Sequence, residues 1–188
     1  EGAKVAARAM SLAGYDFVTI GNHDFNYGKA TLESYLSHLD ARCISANVEG
    51  VSGVERTAVV KLQNGLRVGI TGITTHFVNL WEKPENLEGI TVHEAFSSAA
   101  KALEELKQAN VDITVCIYHG GFENDLATGE LLSDTSENQA YRICKELDFD
   151  VLLTGHQHIP MANQRWNGTH IVQTPCNAVS YVKVTLEE

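Results

Sequence analysis

The sequence has little positive charge to set against its negative charge. Its 14 Lys and Arg residues stand against 24 Asp and Glu residues, which gives a formal net charge of −10. A protein that binds nucleic-acid polymers presents a basic face to the phosphates, so this balance argues against that class of partner. It does not exclude a phosphate ester as substrate, because a bound metal ion can supply the positive charge.

Other features that would set the class of protein are missing as well. The chain has no run of 18 apolar residues, so we expect no membrane span. No basic and apolar leader marks a signal peptide. A Gly-x-Ser-x-Gly elbow is absent, which argues against a serine hydrolase. None of the four cysteines belongs to a Cys-x-x-Cys pair, so a structural zinc knuckle is not expected.

The cysteines are interpreted instead as small buried hydrophobes. Cys116 lies in the apolar run "ITVCIY", and Cys144 falls on the apolar side of a predicted helix. Free cysteine is among the most buried residue types. The remaining two are Cys43 and Cys176, and the even number leaves a disulfide open.

The residues that are present predict one α/β domain over residues 1–188, with sheets sandwiched by helices. The first half is predicted to contain a helix over 2–13 ended by Gly14, a strand over 15–20, a helix carrying Leu32 to Leu39, and a strand over 42–48. Residues 57–73 are predicted to form a hairpin, because Asn64-Gly65 is a strong turn signal between two apolar runs.

The second half continues this pattern and ends in a β-rich tail. Residues 76–90 have no clear period and are predicted to be a loop. Thr91 and Glu94 form a capping box that should begin a helix running to about Asn110. The later predictions are a strand over 112–118, a helix capped by Ser136 and running to about Leu147, a strand over 150–154, a hairpin at Asn167-Gly168, and a half-buried strand over 178–186.

Three polar clusters follow predicted strands at the point where each strand ends. "GNHD" follows Ile20, "HGG" follows Tyr118, and "GHQH" follows Thr154. Ligands of open α/β sheets bind outside the carboxyl ends of the strands. We therefore expect the three clusters to converge, although they are far apart along the chain.

The residue types in these clusters suit a metal centre. Neutral imidazole is the commonest ligand of transition metals, and an amide oxygen is a weak neutral ligand beside it. A single histidine near a strand end is more often structural, which is how we interpret His38, His76, His93 and His170. Taken alone, Asn22 could be a turn residue and Asp24 a helix N-cap. The joint pattern of three clusters beside glycines favours function.

In this order and spacing, "GNHD", "HGG" and "GHQH" resemble the later motif blocks of the calcineurin-like metallophosphoesterases. More narrowly, "GNHDFNYG", "YHGGFENDLATG", "SENQAYRIC" and "DVLLTGHQH" resemble the branch of 5′-nucleotidases and 2′,3′-cyclic-nucleotide 2′-phosphodiesterases. The similarity covers nearly the whole chain. It implies a sandwich of two mixed β-sheets flanked by helices, and hydrolysis of nucleotide phosphate esters by a metal-activated water.

The resemblance also implies a site for two divalent metal ions, which could be Mn, Zn, Fe or Co. Asn22, His119 and His156 would be ligands of one ion. His158 would be a ligand of the other ion. The substrate implied is a nucleotide or another phosphate ester.

His23 would contact the phosphate and act as the general acid, with Asp24 and Asn26 beside it. In 5′-nucleotidase relatives a carboxylate occupies the position of Asn26 and pairs with the histidine. The amide here resembles the cyclic-nucleotide branch instead. Asn26 can hydrogen-bond the ring but cannot stabilise an imidazolium by charge.

Two motif blocks of the family are not found in the sequence. The family begins with an Asp-x-His strand end and a Gly-Asp block, which supply further metal ligands, including the Asp that bridges both ions. We therefore expect an internal part of the catalytic domain that lacks its N-terminal βαβ portion and binds one metal or none. The alternative is a truncated, catalytically inactive metal-binding domain.

Partners and compartment are less constrained. A truncated sheet would expose an edge or an apolar face, which leaves a homodimer open. Relatives in this branch are mostly secreted or held at the cell surface, while the residues of this chain leave the compartment open.

Overall fold

The computed structural model describes residues 1–185. Its α-helices are α1 (Gly2–Ala13), α2 (Gly28–Leu36), α3 (Val78–Trp81), α4 (Ala95–Gln108) and α5 (Ala140–Glu146). Single turns of 3₁₀ helix lie at Asn22–Phe25 and Pro84–Leu87. The strands are β1 (Phe17–Val18), β2 (Arg42–Ile44), β3 (Val48–Glu49), β4 (Val54–Glu55), β5 (Thr57–Lys61), β6 (Arg67–Thr74), β7 (Thr91–Val92), β8 (Ile113–His119), β9 (Val151–Thr154), β10 (Met161–Trp166) and β11 (Thr169–Gln173). Among residues 1–185, no helix is both long enough and apolar enough to cross a membrane.

The strands form a larger sheet and a smaller sheet. The larger sheet has the order β10-β11-β9-β8-β6-β5, in which the four inner strands run parallel and two hairpins add antiparallel edges. The smaller sheet, β1-β2-β4, is parallel throughout rather than mixed. β3 and β7 form a separate antiparallel pair. The predicted α/β architecture of two sheets with flanking helices is confirmed.

Two hydrophobic clusters hold the helices against the sheets. In the first, Ala99, Leu103 and Leu106 of α4 are almost fully buried and pack with Cys116 of β8 and Leu152 of β9. The second joins Phe25 to residues of α2, β2 and β3 and to Val78 of α3. Burying a large aliphatic side chain contributes about 1.5–3 kcal/mol. The first cluster thus packs α4 against the larger sheet, and the second packs α2 and α3 against β2 and β3.

The two sheets touch directly at Gly72 of β6. The Gly72 carbonyl accepts a hydrogen bond from the backbone N–H of Ala46 at 2.7 Å. A methyl group on Gly72 would overlap the backbone oxygen of Ile44 in β2 and lie 2.6 Å from the Thr19 hydroxyl oxygen. Glycine is therefore needed here because backbone from the smaller sheet fills the space that a side chain would take.

The helix stop and the two hairpins predicted from short sequence signals are present in the structure. Gly14 ends α1 in the left-handed conformation, with φ of 76°, as expected of a glycine C′ residue. The hairpin at Asn64-Gly65 joins β5 to β6, and the hairpin at Asn167-Gly168 joins β10 to β11. These predictions are confirmed.

The predicted capping box of α4 is wrong in its first residue. Thr91 pairs with Glu49 in the β3–β7 ladder, so its backbone is extended and cannot begin the helix. Glu94 is the N-cap residue, and its carboxylate accepts hydrogen bonds from the N–H groups of Phe96 at 3.1 Å and Ser97 at 2.7 Å. Glu94 alone therefore caps the helix, a role that the predicted capping box shared between Thr91 and Glu94.

Replacing Glu94 with Ala should lower the free energy of unfolding by about 1 kcal/mol, the usual cost of losing an N-cap. Burial opposes ionisation of Glu94, but the hydrogen bonds from Ser97 and Phe96 outweigh it and hold the pKa below its ordinary value. A carboxyl group of this kind stabilises the fold above its unfolded pKa, near about 4.3, and loses that contribution as pH falls through the lower folded pKa. Urea unfolding of the wild type and of Glu94→Ala should thus give a difference that shrinks between about pH 6 and about pH 3. A difference that stays constant over this range would contradict the capping role.

The predicted start of α5 is also wrong. The helix begins at Ala140 rather than beyond Ser136, because tertiary hydrogen bonds hold the preceding residues out of the helix. Asn138 accepts from the N–H of Gly121 at 2.7 Å, and the Gln139 N–H donates to the Tyr118 hydroxyl at 3.1 Å. These contacts tie the segment to the end of β8 before any helical turn can form.

Two further segments differ from their predictions. Residues 76–90, predicted to be a loop, contain α3 and the second 3₁₀ turn, and each of these is too short to show a helical period. Residues 178–185 form no strand, and Tyr181 is 89% exposed. Alternation of apolar residues indicates a face but does not provide a neighbouring strand to pair with. Leu186, the last residue of that prediction, lies outside the described residues.

The cysteine prediction holds for three of the four residues. Cys43, Cys116 and Cys144 are buried, whereas Cys176 is exposed. All four are free thiols, so the disulfide left open by their number is not formed.

Candidate functional site

The polar clusters come together because neighbouring strands end side by side. β8 and β9 are parallel neighbours with Tyr118 opposite Thr154, so "HGG" and "GHQH" begin at the same edge of the larger sheet. "GNHD" approaches from the smaller sheet. His119 Nε2 lies 2.8 Å from Asn22 Oδ1, although the two residues are 97 positions apart. The rings of His119 and His156 are 5.4 Å apart, centroid to centroid.

The "GNHD" segment is held by its own turn and by one buried side chain. The Gly21 N–H donates to the Asp24 carboxylate at 2.7 Å, and Phe25 is fully buried beneath the turn. A methyl group on Gly21 would lie 3.0 Å from Cε1 of His119. Gly21 therefore lets the backbone approach the His119 ring. Burial raises the pKa of Asp24, and the hydrogen bond from the Gly21 N–H opposes that shift.

His119 is held in its neutral form. Burial is the largest cause and the neighbouring His156, His23 and His158 add to it, so that the pKa of His119 falls to about 4. Near neutral pH its imidazole is therefore uncharged, which is the form that binds metal ions.

The "GHQH" segment has an unusual backbone. His156 and His158 have φ of 67° and 58°, a left-handed conformation that is rare for residues other than glycine and costs about 1–3 kcal/mol when strained. Gln157 between them accepts from the N–H of Phe122 at 2.8 Å and donates to the carbonyl of the same residue at 3.0 Å. This pair of bonds ties "GHQH" to the loop that follows His119. His158 is exposed, and it lies near enough to influence His119.

His23 points one ring nitrogen at Asn26. His23 Nδ1 is 2.9 Å from Asn26 Oδ1, and Asn26 Nδ2 donates to Glu82 Oε2 at 2.8 Å. The carboxylate of Asp24 bonds its own turn at Gly21 instead. The orienting role expected of Asp24 stays a prediction, while Asn26 has direct contact with the ring.

Three residues of the site were not predicted from the sequence. Glu137 Oε1 lies 2.9 Å from His156 Nε2. The Trp81 ring stacks on His156 with 5.5 Å between centroids and 18° between planes. Glu82 accepts a hydrogen bond from Asn26, the residue in contact with His23. Glu137 lies in the quoted block "SENQAYRIC", which could have drawn attention to it, but residues 81 and 82 lie in the segment that had no pattern.

A cavity of about 410 Å³ opens at this cluster. Its lining includes Asn22, His23, Asn26, Trp81, Glu82 and His156. The cavity thus brings the predicted general acid and two predicted ligands to one space.

The chemistry of the donor set fits one divalent metal ion. Asn22 supplies an amide oxygen, His119 and His156 supply imidazoles, and Glu137 brings a carboxylate within hydrogen-bond distance of His156. Over residues 1–185, no three His, Cys, Asp or Glu side chains alone form a group able to hold a metal. A metal in this place would therefore need the oxygen of Asn22.

An α/β sandwich with amide and imidazole groups at the ends of its parallel strands is the architecture of calcineurin-like phosphoesterases, and solved structures agree. The calcineurin-like phosphoesterase YfkN from Bacillus subtilis matches with a TM-score of 0.71 and 27% identity, over 87% of this chain and 55% of that one. A candidate 5′-nucleotidase from Staphylococcus aureus matches with a TM-score of 0.81 and 34% identity, over 91% of this chain and 33% of that one.

The chain belongs to the family described as "Bacterial capsule synthesis protein PGA_cap", whose sequence profile matches residues 2–181. It is also 26% identical to a 2′,3′-cyclic-nucleotide 2′-phosphodiesterase/3′-nucleotidase from Salmonella typhimurium, over 80% of this chain and 24% of that protein. The resemblance to the nucleotidase and cyclic-nucleotide phosphodiesterase branch is confirmed. Measured against eight curated relatives, the chain spans from 11% to 34% of their length.

Proposed function

We propose that this chain forms part of a metal-dependent phosphoesterase that hydrolyses phosphate esters of nucleotides. The observation that carries the proposal is the convergence of Asn22, His119 and His156 from two sheets, with 2.8 Å between Asn22 Oδ1 and His119 Nε2. The names of the relatives support nucleotides as the substrate class. The family's own description names capsule synthesis, and no contact in the site favours that role.

In this proposal Asn22, His119 and His156 hold one metal ion, and His158 belongs to a second. When bound, a divalent metal supplies the positive charge that attracts a phosphate ester to an acidic chain, and it lowers the pKa of a bound water. Mn, Zn, Fe and Co all accept these ligand types. His158 is the single ligand proposed for the second ion, because His23 has a different role, so that ion needs further ligands from outside these clusters.

His23 is proposed to transfer the proton. Its Nδ1 is occupied by Asn26 at 2.9 Å, which leaves Nε2 as the nitrogen available to substrate in the cavity. An imidazolium in this place can donate the Nε2 proton to the leaving oxygen as the phosphate ester is cleaved. The amide at Asn26, where a 5′-nucleotidase would carry a carboxylate, favours a 2′,3′-cyclic nucleotide over a nucleoside 5′-phosphate.

Turnover by the purified chain tests this proposal. We expect slow hydrolysis of bis-p-nitrophenyl phosphate and of a 2′,3′-cyclic nucleotide that requires added manganese or zinc and stops when a chelator is added. The test pairs these substrates with a metal analysis of the same sample. Metal binding without turnover would favour the alternative of an inactive metal-binding domain, and neither binding nor turnover would contradict both.

A further inference from the structure

We propose that Glu82 is a positioning residue for His23 and acts on it through the amide of Asn26. The inference deepens the proposed function, in which His23 transfers the proton. Glu82 lies 56 positions from Asn26 along the chain, in the segment between β6 and β7. No motif of the sequence pointed to it.

The contacts form an unbroken line from the carboxylate to the imidazole. Glu82 Oε2 accepts from Asn26 Nδ2 at 2.8 Å, and Asn26 Oδ1 lies 2.9 Å from His23 Nδ1. Asn86 links the two residues a second time. Its Nδ2 donates both to Glu82 Oε1 at 2.8 Å and to the backbone carbonyl of Asn26 at 2.9 Å. The amide of Asn26 is thus held at both ends.

The direction of these bonds follows from the carboxylate. An ionised carboxylate can only accept hydrogen bonds, so the NH₂ end of the Asn26 amide must face Glu82. The oxygen end must then face His23, and an amide oxygen also only accepts. His23 Nδ1 is therefore the nitrogen that carries the hydrogen in the neutral ring, because the bond made by one ring nitrogen decides the tautomer.

Glu82 is well held in the ionised form that this requires. A hydrogen bond from Asn86 is the largest cause, and the N–H of Lys83 at 2.8 Å adds to it, so the pKa of Glu82 lies below its ordinary value. A reversed Asn26 amide would place its oxygen against this carboxylate with no proton between them. The charge of Glu82 thus opposes the reversed amide.

The consequence is a fixed tautomer of His23, a residue that lines the cavity, with Nε2 as the ring nitrogen that Asn26 does not bind. With Nδ1 bonded to Asn26, Nε2 either has a free lone pair or carries the one transferable proton. The carboxylate that relatives place directly beside the histidine is thus replaced by a pair: an amide that touches the ring and a carboxylate that orients the amide. Outer hydrogen-bond partners of this kind commonly fix the tautomer and orientation of a functional imidazole.

The tautomer of His23 tests this inference without metal or substrate. A long-range ¹H–¹⁵N correlation spectrum of the labelled chain distinguishes protonated from unprotonated ring nitrogens, and the His23 signals are identified by their loss in His23→Gln. At alkaline pH, where imidazole is neutral, we expect wild-type His23 to be protonated on Nδ1. In Glu82→Ala we expect a mixture of tautomers, seen as ring nitrogen shifts that move toward each other.

The matched control is Glu85→Gln, which removes an exposed carboxylate from the same segment and should leave the His23 signals unchanged. The rescue variant combines Asn26→Asp with Glu82→Gln, which moves the charge next to the ring at constant net charge and should restore protonation on Nδ1. If Glu82→Ala unfolds, Glu82→Gln takes its place, because a glutamine no longer forbids the reversed amide and a partial mixture is expected.

Three results would overturn the inference: wild-type His23 protonated on Nε2, a Glu82 variant with the wild-type tautomer, or a rescue variant that does not restore it. Because the spectrum needs no catalysis, absence of turnover would count against the proposed function and leave this result standing.

Discussion

Replacing Gly72 with Ala should unfold the protein or lower its free energy of unfolding by more than about 4 kcal/mol, a size reserved for severe core defects. The new methyl group would overlap the backbone oxygen of Ile44 and crowd the Thr19 hydroxyl. The Ile44 oxygen belongs to the backbone of β2 and cannot rotate away, whereas the Thr19 hydroxyl could move only by changing its side-chain rotamer. The sheets would have to separate, and the Ala46 to Gly72 hydrogen bond would break.

Gly69→Ala is the matched control on the same strand. Gly69 is also buried in β6, but a methyl group there meets the ends of the Leu106 and Val111 side chains at 2.9 to 3.1 Å. These side chains can shift, so we expect a cost of about 1–3 kcal/mol. Urea unfolding of both variants measures the difference. Equal stability of Gly72→Ala and Gly69→Ala would show that the sheets do not meet as described.

The contact at Gly72 matters for the site as well as for stability. Two residues further along β6, Thr74 is opposite His119 in the neighbouring strand. Thr19, on the other side of the contact, lies three residues before Asn22. A separation of the sheets at Gly72 would therefore also separate the Asn22 oxygen from the His119 ring.

His119→Ala should weaken binding of manganese or zinc by more than about 100-fold. Residues that merely support a metal ligand cost 10–100-fold when changed, and His119 is proposed to be a ligand itself. Its low pKa, about 4, means that the wild-type ring is uncharged and ready to bind near neutral pH. Titration calorimetry of the purified chain with each metal measures this loss.

His170→Ala provides the control for that experiment. His170 is also a partly buried histidine, but it lies on β11, where its backbone N–H donates to the backbone carbonyl of Asp150. We expect its metal affinity to equal that of the wild type. If the two variants lost affinity equally, the metal would not be bound at the strand ends.

Much of the fold follows from short segments whose signals are local. An Asn-Gly pair sets a hairpin with few neighbours involved, and Gly14 ends α1 through its own backbone conformation. The apolar runs of β8 and β9 predict buried strands, and the rule that ligands lie beyond strand ends then predicts that the three polar clusters converge. The grouping of Asn22 with His119 came from the family resemblance, and their direct contact is a finding of the structure.

The parts that escaped prediction depend on contacts between distant residues. Ser136 is a good capping residue, but Asn138 and Gln139 are bound to the end of β8 and delay the helix. Thr91 is drawn into a strand by Glu49. Trp81 and Glu82 become part of the site only because the segment between β6 and β7 folds over it, which no period of that segment reveals.

The most direct test of the central claim is anomalous diffraction from crystals of the chain soaked in zinc or manganese. The account predicts a peak in contact with the side-chain oxygen of Asn22 and the ring nitrogens of His119 and His156. A metal peak elsewhere on the chain, with Asn22 still in contact with His119 and His156 still in contact with Glu137, would contradict it.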